Sequence, residues 1–170
     1  MTARRSTLAT TLAGVLVLLA SGLVAARPLL VYNPSPSAPI GFYRIVPATD
    51  LRVGDLVVFR TPPLFAGLFA ERGYLPRGVP LIKRVMATAG MVVCEQDGQL
   101  AIDGVHVADA LPVDGRGRPM PTWHGCRALG KQEFFALMSY PASLDGRYFG
   151  PVPTALIIGK AVPLWTSSGS

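Results

Sequence analysis

Leu100-Ala101-Ile102-Asp103-Gly104-Val105-His106-Val107 sets two short apolar segments on either side of Asp-Gly. A tight two-residue hairpin turn needs positive φ at both central positions, and Asp-Gly meets that need with little strain. The stretch therefore predicts a β-hairpin, and the same texture extends outward from it. Gly and Pro, 18 and 16 of the 170 residues, punctuate short segments rich in Val, Ile, Leu and Phe, the pattern of a mainly β domain. Alternation and turn signals place strands at Phe42–Val46, Leu56–Arg60, Leu81–Met86, Met91–Glu95, Leu100–Ile102, Val105–Val107, Glu133–Leu137 and Leu156–Val162. Leu64, Phe65, Leu68 and Phe69, bracketed by Pro62-Pro63 and Pro76, predict a short amphipathic helix over Leu64–Leu75. It either packs as core or forms a lip that touches membrane or apolar substrate. Residues 108–130, with Pro112, Gly115, Gly117, Pro119, Pro121 and Gly125, read as loop.

The N-terminus carries a different signal. Between Arg5 and Arg27 no residue is charged, and about 20 residues, or about 30 Å as a helix, match the hydrocarbon thickness of a bilayer. Arg4 and Arg5 precede this run, so the positive-inside rule keeps the short tail cytoplasmic and sends the rest across. Residues 1–27 are thus expected to be a tail and single transmembrane anchor, and residues 28–170 one periplasmic domain at the inner membrane. The competing reading is a cleavable secretory signal, with Val24 and Ala26 as the small residues before the cut. The net charge is +6, partly at Arg4, Arg5 and Arg27, where anionic headgroups attract it. The other basic residues are scattered singly without interleaved aromatics, which speaks against a nucleic-acid partner. Cys94 and Cys126 are too few for a zinc site. In an oxidising compartment they are expected to form one disulfide, the alternative being two buried free thiols.

Candidates for chemistry stand just after the anchor. Asn33-Pro34-Ser35-Pro36-Ser37-Ala38-Pro39 is stiffened by three prolines and presents two serines two positions apart. Alone this is an ordinary turn; a nucleophilic serine needs a base. His106 and His124 are the chain's two histidines, and neither has neighbours that suggest catalysis. A lysine can serve instead when it is neutral, which burial in apolar surroundings favours. In Leu81-Ile82-Lys83-Arg84-Val85-Met86 a period of two puts Lys83 on the face of Leu81 and Val85 and turns Arg84 away. An ordinary lysine, with a pKa of about 10.4, is only about 0.1% neutral near pH 7.5, so the apolar face has to lower it substantially.

Four ordered blocks resemble those of the signal-peptidase family of Ser-Lys peptidases. Ser35-Pro36-Ser37-Ala38-Pro39 resembles the nucleophile block, with SerAla where the family usually has SerMet. Gly54-Asp55-Leu56-Val57-Val58-Phe59 resembles the strand block. Leu81 to Val85, with Gly90 and Gly98 to Gly104, resembles the lysine block, and Ser143-Leu144-Asp145-Gly146-Arg147-Tyr148-Phe149-Gly150 the final block. Within the family, the short TraF-type conjugative-transfer peptidases are the most similar, through the segments 33–43, 72–76 and 145–151. Ser139-Tyr140-Pro141-Ala142 stands where housekeeping signal peptidases carry a GlyAspAsn-type loop.

The resemblance implies a coiled β-sheet or barrel catalytic domain. It implies Ser37 as nucleophile, Lys83 as general base, Ser35 sharing an oxyanion hole with the Ser37 amide, and Ser143 bonded to the lysine. Asp145 and Arg147, two apart on an extended strand, read as a supporting ion pair; a direct catalytic part for Asp145 is the alternative. No cofactor or metal is implied. The implied substrate is a pilin or preprotein with a membrane-embedded segment, cut after a small residue, in the setting of a conjugative secretion machinery. The acyl-enzyme would be resolved by water or by an amine of the substrate, the latter giving a cyclic product. Removal of ordinary leader peptides and a non-catalytic envelope scaffold are the alternative functions.

Overall fold

The computed structural model describes residues 11–15 and 30–167. Residues 11–15 are helical; the rest of the run read as a membrane anchor lies outside the described residues. Among the described residues no helix is long and apolar enough to cross a membrane.

Asp103 and Gly104 take φ of 49° and 79°, and Ile102 pairs with Val105 across them, so the predicted hairpin forms with the turn its residues favour. Asp97 and Gly98 repeat the arrangement with φ of 51° and 84°, joining Gln96 to Gln99. These two turns build a four-stranded sheet from β5 (Val92–Gln96), β6 (Gln99–Ile102), β7 (Val105–Asp109) and β8 (Gly125–Ala128), in the order β7-β6-β5-β8. The larger sheet has seven strands: β1 (Leu30–Asn33), β2 (Gly41–Val46), β3 (Leu56–Phe59), β4 (Leu81–Ala87), β9 (Glu133–Leu137), β10 (Val152–Pro153) and β11 (Ile157–Thr166). Their order is β1-β2-β11-β3-β4-β9-β10. The mainly β expectation holds. β1, β8 and β10 are additions to the predicted strands, and β8 lies inside the stretch read as loop.

The predicted helix forms as α1 (Pro63–Glu71) with proline in its first turn, where the missing N–H removes nothing the helix would use. Phe69 is wholly buried, and Phe65 and Leu68 pack against the same cluster as Val57, Phe59, Leu81, Val85 and Phe134. The helix is core on that side, while Leu64 stays 86% exposed. A second cluster, with Val93, Leu100, Ile102, Phe135 and Leu137, joins the two sheets. A third, with Ala38, Tyr43, Ile45, Val58 and Ile82, fills the opposite face of the large sheet. β3 and β4 are thereby covered on both faces around Lys83.

Asp145 and Arg147 do not lie on an extended strand. Asp145 is the N-cap of the short helix α2 (Gly146–Phe149), accepting from the Arg147 amide at 3.2 Å. An N-cap side chain takes up an amide the helix leaves unpaired, which is why aspartate favours that place. Gly146 lets α2 press onto β9: a Cβ there would stand 2.7 Å from the Ala136 carbonyl oxygen and 2.8 Å from Phe135.

Cys94 and Cys126 face each other across β5 and β8 and are bridged, which settles the choice between disulfide and free thiols. The bridge closes a loop of sequence separation 32, which corresponds to about 3–4 kcal/mol of stabilisation through restriction of the unfolded chain. The Cys94→Ser, Cys126→Ser double variant is expected to lose about that much in denaturant titration. Labelling of two thiols in the unreduced, denatured wild type would contradict the bridge.

Candidate active site

Lys83 sits mid-strand on β4, opposite Val57 of β3, and is 3% exposed while Arg84 points to solvent. Its long side chain carries the amine out of the sheet to the loop that leaves β1. There Nζ lies 3.0 Å from Ser37 Oγ and 2.9 Å from Ser143 Oγ. Burial lowers the Lys83 pKa from the ordinary lysine value to about 8; Asp145 opposes the change and Arg147 adds to it. A substantial neutral fraction therefore exists near neutral pH. A neutral amine has one lone pair to accept the Ser37 proton while it donates to Ser143.

Ser35 Oγ is 3.0 Å from Ser37 Oγ, and the Ser37 amide donates to Ser35 Oγ at 3.3 Å. The two serines share one side of the loop, as their spacing predicts. The pair of groups read as oxyanion donors thus bond to each other, so the Ser37 amide must turn from Ser35 to meet an oxyanion.

Ser143 is buried, its amide donating to the Tyr140 carbonyl at 3.0 Å. It precedes Asp145, which is 0% exposed and accepts from the Met138 amide at 3.0 Å and from Arg147 Nη1 at 2.6 Å. Arg147 donates onward to the Met138 carbonyl at 2.9 Å and the Asp109 carbonyl at 3.2 Å. With its donors distributed in this way, the buried pair has the hydrogen bonds that make buried charge tolerable. The ion pair read from the sequence is present, between Asp145, extended as the N-cap, and Arg147 in the first turn of α2, rather than along one strand.

The structure brings Ser35, Ser37, Lys83 and Ser143 into one hydrogen-bonded chain and stacks Asp145 and Arg147 behind it. The histidines are engaged elsewhere: His106 Nε2 lies 2.9 Å from Asp109, and His124 Nδ1 2.7 Å from the buried Glu95. The serines and Lys83 open onto a groove of about 980 Å³, walled by Tyr74, Val79, Leu111 and Met120 among other residues. An extended peptide fits a mostly apolar cleft of this size. Asn33 is the site residue that sequence reasoning missed: it is buried, and its amide holds the serine loop. Its position before proline signals a turn, but nothing in the spacing reveals its partners.

Residues 3–165 match the family described as signal peptidase, peptidase S26, and the chain belongs to that family. It is 40% identical over 146 residues to a probable conjugal transfer protein TraF of Sinorhizobium fredii, covering 79% of this chain and 76% of that protein. It is 35% identical over 156 residues to the conjugal transfer protein TraF of Agrobacterium tumefaciens, covering 79% and 81%. With a plasmid transfer protein TraF of Escherichia coli the identity is 33% over 149 residues, covering 80% and 81%. Among solved structures, a signal peptidase I from Enterococcus faecalis aligns with a TM-score of 0.39 and 21% identity, over 66% of this chain and 97% of that one.

Proposed function

We propose that this chain is a membrane-bound serine endopeptidase that matures a secreted or pilin precursor for conjugative transfer. The observation that carries the reading is the buried Lys83 amine 3.0 Å from Ser37 Oγ. In this mechanism Ser37 attacks the scissile carbonyl, Lys83 takes its proton and returns it to the leaving amine, and Ser143 holds the amine in line. Ser35 and the Ser37 amide stabilise the developing oxyanion. Asp145 and Arg147 tie down the ends of β9 and β7, at Met138 and Asp109, behind Ser143. The acyl-enzyme is resolved by water or by an amine of the substrate itself.

Membrane attachment is part of the proposal. The uncharged run before Arg27 supports it, and so does a patch where Tyr32, Phe42 and Trp165 lie side by side across β1, β2 and β11. Tyr32 and Trp165 are 53% and 78% exposed, and such amphipathic aromatics favour the headgroup region of a bilayer. The catalytic domain is then periplasmic. The similarity to conjugal and plasmid transfer proteins TraF favours conjugative transfer over general leader removal.

The test is reconstitution of the full chain in vesicles with a pilin precursor bearing a small residue at the cut. Conversion to a shorter product is expected, and mass spectrometry separates the two fates, because a cyclic product is lighter than the linear one by one water. An intact precursor under conditions where the chain is folded would sink the reading.

A further inference from the structure

We propose that Asn33 is a positioning residue for Ser37, holding the nucleophile loop through its side-chain amide; the inference rests on the reading of Ser37 as nucleophile. Asn33 ends β1 and pairs with Gly41 of β2, so residues 34–40 leave the sheet and return to it. Pro34, Pro36 and Pro39 in that excursion have no N–H, and the loop is short of the donors that would let its carbonyls pair with one another. Asn33 supplies them. Its Nδ2 donates to the carbonyls of Ser35 at 2.8 Å, Ala38 at 3.0 Å and Pro39 at 3.3 Å. Its Oδ1 accepts from the Ser35 amide at 3.2 Å. Two amide hydrogens serve three carbonyls, so the longest of these bonds is the shared one.

The orientation of the amide follows from its surroundings. Turned over, it would set an oxygen against three carbonyl oxygens and an NH2 group against the Ser35 N–H. Asn33 itself is only 8% exposed, so water cannot readily replace these bonds. They grip the chain on both sides of Ser37, at Ser35 before it and at Ala38 and Pro39 after it, while Tyr43 donates to the Pro39 carbonyl at 2.6 Å. Ser37 is left free of the staple, with Oγ facing Lys83. The distance between Oγ and Nζ is thus set from the end of β1, by a side chain whose hydrogen bonds go to the backbone of the loop and not to the side chains of Ser37 or Lys83.

Purified full-length wild type, Asn33→Ala, Asn33→Asp and Ser37→Ala would be compared on a peptide with alanine on the acyl side of the cut. Thermal melting would be followed in parallel. Asn33→Asp keeps the shape and one acceptor but replaces both donors with oxygen against three carbonyls. For both Asn33 variants kcat is expected to fall about 100-fold with KM nearly unchanged, since about 1 Å of misplacement carries a penalty of that size. The pH–rate midpoint should stay at the wild-type value, because the burial of Lys83 is untouched. Near-wild-type kcat in a folded variant, or a loss accounted for by the unfolded fraction, would overturn the inference; so would failure of both variants to fold, which assigns Asn33 to stability alone. Undiminished activity of Ser37→Ala would instead remove the nucleophile reading, and this inference with it.

Discussion

Replacing Lys83 by arginine is expected to lower peptide turnover by about 100- to 10,000-fold, the range over which a positioned general base contributes. Ser37→Ala should lose at least as much. Arginine retains the charge and much of the reach but does not deprotonate at usable pH, so it separates a need for positive charge from a need for a base. Wild-type turnover should rise with pH through an apparent midpoint near 8, where burial places the Lys83 pKa. The sign follows from the role: below the midpoint Nζ is protonated and has no lone pair for the Ser37 proton; above it the amine is free. Near-normal turnover in Lys83→Arg would remove Lys83 as the base. So would an active Lys83→Ala protein that loses its activity when His106 or His124 is changed.

The lowered value also bears on the scaffold alternative. Below about 8 the folded protein holds a buried ammonium, 3% exposed, and burial without a charged partner in contact opposes folding. A protein selected only to hold a channel together gains stability by placing an apolar side chain there. Stability given up at a cleft, for a group poised between two hydroxyls at 2.9 and 3.0 Å, fits an active site better than a structural strand.

How far the sequence discloses this arrangement depends on where each side chain finds its partner. The Asp103-Gly104 turn was legible because it is decided by local backbone sterics; Asp97-Gly98 forms the same kind of turn but was not read as a hairpin. Lys83 was legible because alternation alone separates it from Arg84, and burial follows that separation. β8 was not, since Gly125–Ala128 are exposed throughout and an edge strand without a buried face leaves no period to read. The backbone around Asp145 was misjudged because α2 spans four residues, too few for helical periodicity, and an i, i+2 pair suits either a strand face or an N-cap with its first turn. Asn33 escaped because its partners are backbone carbonyls that converge only after the proline-rich loop has closed.

The Asp145→Asn variant separates support from catalysis behind the lysine. Asparagine keeps the size of the side chain and remains a good N-cap for α2, but it leaves Arg147, 4% exposed, without its partner at 2.6 Å. Breaking a buried pair from one side is expected to lower stability by about 3–5 kcal/mol, read as a lower denaturant midpoint. Arg147→Met added to Asp145→Asn should restore part of it by removing the stranded charge. The same change reaches Lys83 through the field: Asp145 raises the lysine's pKa and Arg147 lowers it, so with the carboxylate gone only the lowering remains. The pH–rate midpoint of Asp145→Asn should therefore move below about 8, with turnover per folded molecule largely kept on the alkaline side. A midpoint that moves upward, or unchanged stability, would contradict the support role. Turnover lost at every pH in folded protein would give Asp145 the direct part in the chemistry that its sequence position left open.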